Sequence, residues 1–235
     1  IFQGSISEIG NNSYETFFGY YDKSPVNKLN SFIIYHESIR STRKRPSPTY
    51  PINIVLKDLS NNSEFRYQSF SYNWQQGARL QWLDEYNFIF NDYNFEKKEY
   101  CSYLINAPTH KVVKIYDFPI YDTHNTFGYT LNFDRLAILR PDYGYRNKIN
   151  DKIKINIKDI KNDGIYYCDL INNKKQLLIS LEFLSSFELY CSSNTLHKVN
   201  HIMISPDGDK FVFLHRYFVN GIKYDRLILS SFNGQ

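Results

Sequence analysis

No stretch of this chain is apolar enough to span a bilayer, so no membrane partner is expected. Cysteine is scarce. Cys101, Cys168 and Cys191 are far apart and odd in number, which excludes a paired-cysteine metal knuckle and a complete disulfide framework and favours reduced thiols in a cytoplasmic setting. A glycine-rich phosphate loop and a nucleophile elbow are both missing, and with them the chemistries those motifs carry. Neither basic nor acidic residues dominate, with 28 Lys and Arg against 24 Asp and Glu. The formal net charge of +4 permits an acidic partner without demanding nucleic acid. The one dense basic run, RSTRKRP at 40–46, lacks interleaved aromatics and reads as a solvated loop, so no nucleic-acid partner is expected. The opening IFQGS at 1–5 reads as a protease-cleavage remnant, which leaves a periplasmic or secreted origin open.

Tyrosine (21) and phenylalanine (18) are abundant, and with Ile and Val they suit pleated surfaces. Four apolar runs resemble one another: FIIYH (32–36), FIFND (88–92), LAILR (136–140) and FVFLH (211–215). A turn precedes each run, and a further short run precedes each turn: GYYDK, GARLQ, GYTLN and HIMIS. Two more strand-like segments follow in each of the first three units, and one follows in the fourth. Four strands per unit, repeating every 50 to 60 residues or so, is the signature of a β-propeller. An antiparallel sandwich with evenly spaced strands is the alternative. The expected fold is therefore all-β: a single propeller over 6–235 with four-stranded antiparallel blades near 17–69, 73–118, 126–182 and 199–235. The last is incomplete, so the four blades are expected to belong to a larger ring. Segment 5–16 is a candidate outer strand for a closing blade.

The turn Ser205-Pro206-Asp207-Gly208 resembles the blade turns of TolB-like and WD40-like propellers, and SPVN at 24–27 is a degenerate copy. In a blade of that kind, the start of the first strand and the end of the second lie together near the axis. This pairs His201 with His215, Tyr20 with His36, Gln76 and Gly77 with Asp92, and Tyr129 with Arg140. The long connections from second to third strand fall on the same face. They carry Arg40, Arg43, Lys44 and Arg45 in the first unit, and Arg146, Lys148, Lys152 and Lys154 in the third. Functional residues gather on such loops, and with Arg79 and Arg140 nearby a positive bowl is expected to concentrate an anionic ligand.

His36, His197, His201 and His215 are candidates for a divalent metal or for acid–base work; filling of the channel is the plainer reading. Tyr20 and Trp74 offer aromatic faces to a sugar ring, whereas Trp82 is expected to pack between blades. A weaker resemblance bears on chemistry. The H-x-x-x-S-P…H pattern of His201 and His215 is similar to oligogalacturonate lyases, propellers that hold a divalent metal at the channel mouth. That resemblance implies a manganese or calcium ion on His201 and His215, Gln76 as a looser ligand, and Arg140 or Arg79 as the base. The expectation is a carbohydrate-active propeller that recognises an acidic oligo- or polysaccharide, with Tyr20, His36, Trp74, Gln76, Asp92 and Tyr129 around the ligand. If catalytic, it would act as a metal-assisted polysaccharide lyase by β-elimination. The alternative is a non-catalytic propeller that binds a protein or peptide on the same face.

Overall fold

The computed structural model describes residues 8–187 and 195–234; Cys191 lies outside them. Four antiparallel sheets stand as the blades of a β-propeller. The first contains β1 (Glu15–Phe17), β2 (Phe32–Ser38), β3 (Ile52–Asp58) and β4 (Glu64–Ser69). The second contains β5 (Gln81–Trp82), β6 (Asn87–Asn94), β7 (Glu99–Asn106) and β8 (Lys111–Tyr116). The third contains β9 (Asp122–His124), β10 (Phe127–Leu131), β11 (Gly164–Asp169) and β12 (Lys174–Ser180), with helices α1 (Phe133–Leu139) and α2 (Asn147–Asn150) inserted between β10 and β11. Helix α3 (Leu181–Ser185) leads towards the fourth sheet, β13 (His197–Ile204), β14 (Lys210–Val219) and β15 (Ile222–Ser231), which has three described strands.

Strand alternation builds the spaces between blades, because successive side chains point to opposite faces. Ile34, Ile52, Ile54 and Leu56 of the first blade pack on Leu80, Phe88, Phe90 and Ile105 of the second. Ile89, Leu104 and Tyr116 meet Cys168 and Leu170 between the second and third. Tyr129, Leu131 and Ile165 meet Val199, Ile202, Phe211 and Phe213 between the third and fourth. On the other face of the fourth sheet the outer strand is open, with Leu227 70% and Leu229 63% exposed. Trp82 packs on Phe88 and donates its indole N–H to the Pro25 carbonyl at 3.0 Å, tying the second blade to the first.

The repeat register differs from the sequence reading in three places. LAILR is not a strand. It is the end of α1 and its cap, because Asn132 accepts the Arg135 N–H at 3.0 Å and Asp134 occupies the first turn. The third blade therefore begins at Asp122, and GYTLN belongs to its second strand. In the first blade, β1 pairs with β2 through Phe17 opposite His36, so residues 15 and 16 lie in an inner strand rather than an outer closing one. GYYDK follows as a turn. In the fourth blade β13 begins at His197, four residues before the expected start, and the ladder is irregular between Asn200 and Met203.

The Ser-Pro-Asp-Gly turn closes as expected. Gly208 donates to the Ser205 carbonyl at 2.9 Å, and the Ser205 hydroxyl accepts the Lys210 N–H at 3.0 Å. Gly208 has φ +81, and a Cβ there would overlap the His124 ring, so conformation and space both require glycine.

Candidate functional site

Two connections from second to third strand, residues 39–51 and 132–163, come together on one face. Asn73 bridges towards the second of them by donating its amide to the Tyr143 carbonyl at 3.1 Å. Between the connections lies a cleft of about 330 Å³ lined by Thr42, Arg45, Pro46, Trp74, Gln75, Pro141, Asp142 and Arg146. Trp74 forms one wall. Its indole N–H is donated to the Lys44 carbonyl at 2.6 Å, and its ring meets Phe17 edge-on at 5.7 Å and Tyr72 at 5.1 Å. These contacts hold the indole in one orientation. Arg45 is exposed and Arg146 half-buried, so two guanidinium groups face a solvent-open space beside an aromatic wall. Asp142 is the one acidic lining residue, and it is drawn towards the Arg140 guanidinium at 3.8 Å.

Beneath this face is a buried polar hub. Arg79, 3% exposed and at φ +53, donates Nε to the Tyr121 carbonyl at 2.7 Å and lies 4.1 Å over the Tyr121 ring. Its Nη2 is 3.5 Å from Asp22. Lys23 pairs with Asp122, whose other oxygen accepts the Ile204 N–H at 2.9 Å. Burial works against the Arg79 charge, but Tyr121, Asp22 and Asp122 outweigh it and raise its pKa. Arg79 is thus a fixed cation that staples the first, second and third blades. Gln76 is buried beside it, donates its amide to the Tyr121 hydroxyl at 2.7 Å, and leaves Oε1 without a hydrogen-bond partner.

The histidines part into three environments. His36 is fully buried, stacks on Phe17 at 4.7 Å and accepts the Ala78 N–H through Nε2 at 3.2 Å; burial lowers its pKa to about 3. His215 is also fully buried. Its Nε2 is 3.1 Å from Nδ1 of His197, and its Nδ1 is 2.6 Å from the Arg226 guanidinium. Burial, Arg226 and His197 lower it to about 3. His201 occupies the irregular point of β13 at φ +55, between Tyr20 (5.3 Å) and Tyr143 (5.1 Å). Burial lowers it to about 4, with Arg216, Arg79 and Arg140 acting in the same direction. The structure therefore brings His215 to His197 and Arg226, and His201 to Tyr20 and Tyr143. Both ring nitrogens of His215 are taken by protein partners, which is not the open geometry a metal ligand presents.

The remaining expected residues fall in separate places. Trp74 lines the cleft; Arg140 is not among its lining residues but pairs loosely with one of them, Asp142, and extends over the Tyr143 ring at 5.6 Å. Tyr20 and Gln76 surround the hub. Asp92 is turned to the first blade, where it accepts the Phe70 N–H at 2.7 Å; burial raises its carboxyl to about 6. Tyr129 is a core residue, packed 4.2 Å from Phe211 with its hydroxyl donated to the Phe232 carbonyl at 2.7 Å, and it is not near the rim. The shift of the third blade by one strand explains this: Tyr129 lies on the second strand, not the first. Asp22 and Tyr121 organise the hub but stand in unremarkable sequence, so no motif marks them. Among the described residues no group of three or more His, Cys, Asp or Glu is placed to hold a metal ion.

No protein-family model matches the chain, and no curated protein does. Among solved structures, Kuenenia stuttgartiensis hydrazine synthase is similar over 88% of this chain and 49% of its own, with 8% sequence identity and a TM-score of 0.44. The chain thus spans about half the length of that structure.

Proposed function

We propose that this propeller is a recognition module for an acidic glycan, bound in the cleft between the 39–51 and 132–163 connections. One observation carries the reading: Arg45 and Arg146 arrive from different blades at one cleft walled by the Trp74 indole. Guanidinium groups match carboxylates in fork geometry, and an indole face suits the C–H surface of a sugar ring. Recognition is proposed rather than β-elimination, because Arg79 is a buried cation raised in pKa and so ill suited to act as a base. The blades are read as TolB-like on the Ser205–Gly208 turn. A protein-binding role would favour an apolar patch around the cleft, whereas Leu227 and Leu229 lie on the open outer strand of the fourth sheet.

The test is calorimetric titration with oligogalacturonate and, in parallel, with a neutral oligosaccharide of equal length. The reading expects saturable binding of the uronide alone, weakened by raised salt and lost in the R45Q/R146Q double variant. Equal binding of both sugars, or an unchanged double variant, overturns it. Release of an unsaturated product, followed by ultraviolet absorbance, would convert recognition into turnover.

A further inference from the structure

Lys198 is a buried lysine in no described ion pair. It is 3% exposed, donates to the Leu139 carbonyl at 3.0 Å and lies 5.2 Å over the Phe218 ring. An ammonium has three donors, so one backbone carbonyl leaves it poorly compensated.

Its neighbours make the deficit larger. Directly across the ladder from Lys198 is Arg216, a like-charge pair of the kind that destabilises a sheet. Arg216 pairs with Asp225 at 2.9 Å, but Asp225 also takes Lys223 at 3.0 Å, so one carboxylate serves two cations. Burial, then Arg216, Arg140 and Lys223, lowers the Lys198 ammonium to about 8, with Asp225 acting the other way. Two residues along the strand, on the same face by alternation, stands Asn200. It is fully buried, and neither Oδ1 nor Nδ2 has a hydrogen-bond partner. A buried amide with both ends unmet is rare, since each unmet group carries a desolvation penalty.

We propose that this part of the fourth blade is a binding site for a protonated oxyanion of the phosphate class, held by Lys198, Arg216 and Asn200. The cations supply charge. The Asn200 Nδ2 donates to one anion oxygen, while its Oδ1 accepts from a hydroxyl that hydrogenphosphate carries and sulfate at neutral pH lacks. The site shares no lining residue with the glycan cleft, although Lys198 reaches Leu139 beside it, so the two are tested by different variants.

The experiment is calorimetric titration of the whole chain with inorganic phosphate and, separately, with sulfate, in a low-salt buffer free of other oxyanions. Phosphate is expected to bind once per chain and more tightly than sulfate. Lys198→Met is expected to weaken phosphate by about tenfold or more, as loss of a charge-assisted hydrogen bond does. R45Q/R146Q should leave phosphate binding unchanged. If Lys198→Met fails to fold, Asn200→Asp decides: a resident carboxylate beside Lys198 should abolish phosphate binding. No saturable phosphate binding at millimolar concentration, binding unaffected by these fourth-blade variants, or binding lost in R45Q/R146Q overturns the site. Equal affinity for phosphate and sulfate overturns the role given to Asn200 Oδ1.

Discussion

His197 lies nearly parallel to His215, with Nδ1 of the first 3.1 Å from Nε2 of the second. Arg226 sets the direction of that bond. A guanidinium only donates, so Nδ1 of His215 accepts and its proton sits on Nε2. His197 then accepts on Nδ1 and carries its own proton on Nε2, 2.7 Å from the Thr195 hydroxyl. The pair is a one-way chain of donors from β15 through β14 to the start of β13, and it holds both rings neutral.

Neutral buried histidines make the fold acid-sensitive. Burial lowers His36 and His215 to about 3 and His201 to about 4 in the folded chain, well below the unfolded value of about 6.5. Below pH 6.5 the unfolded chain takes up protons that the folded chain refuses, so stability falls as pH falls, down to about 3. Each contributes about 1.4 kcal/mol per pH unit in that window. Asp92, raised to about 6, acts oppositely between about 4 and 6. Two of the three histidine slopes survive, a net loss of about 3 kcal/mol per unit from pH 6 to 4, reduced by whatever solvent screens at half-buried His201. Urea melts across this range should show a falling midpoint, with a shallower fall in His215→Gln.

Gly77 and Gly221 both have positive φ, +57 and +79, but only one is crowded. A Cβ on Gly77 would overlap the buried His36 ring, while one on Gly221 meets nothing within 4 Å. Gly221→Ala should therefore carry only the backbone term, about 1 kcal/mol. Gly77→Ala adds a clash in a packed core and should lose about 3 kcal/mol or more. The difference is a melting temperature lower by several degrees for Gly77→Ala in thermal melts of the two variants.

Arg135 holds the inserted segment. It pairs with Asp163 at 2.6 Å and donates to the carbonyls of Ile157, Asp159 and His197. Lysine cannot reproduce that fork. Arg135→Lys keeps a cation beside Asp163 but leaves buried carbonyls unmet, so it should destabilise by about 1–3 kcal/mol, and hydrogen exchange should quicken in residues 153–163 before the blades themselves.

Trp74→Ala should weaken uronide binding by about tenfold while the first two blades stay folded, since loss of one aromatic contact removes about 1–2 kcal/mol. Calorimetry with circular dichroism separates the two effects. Binding lost together with strand signal would assign Trp74 to the fold instead.

Much of the architecture was legible in the chain. Alternating apolar runs and recurring turns specify antiparallel strands in four units, because period-two patterning and turn chemistry act locally. LAILR misleads for a physical reason: a short apolar run fits a buried strand or a helix face equally, and only its Asn132 cap with Asp134 in the first turn distinguishes them. The site was less legible. His201 and His215 share a hairpin, but the irregular ladder after Asn200 sets Val199, not His201, opposite His215. One slip in register moves every later side chain.

By itself, the sequence determined the strands, the turns and the basic character of the long connections, all of which follow from neighbours along the chain. Tertiary structure alone decided that Arg45 meets Arg146, that Arg79 is held by Asp22 and Tyr121, and that Lys198 is buried outside any described ion pair. Those outcomes depend on how blades pack, and blade packing joins residues whose separation in sequence carries no local signal.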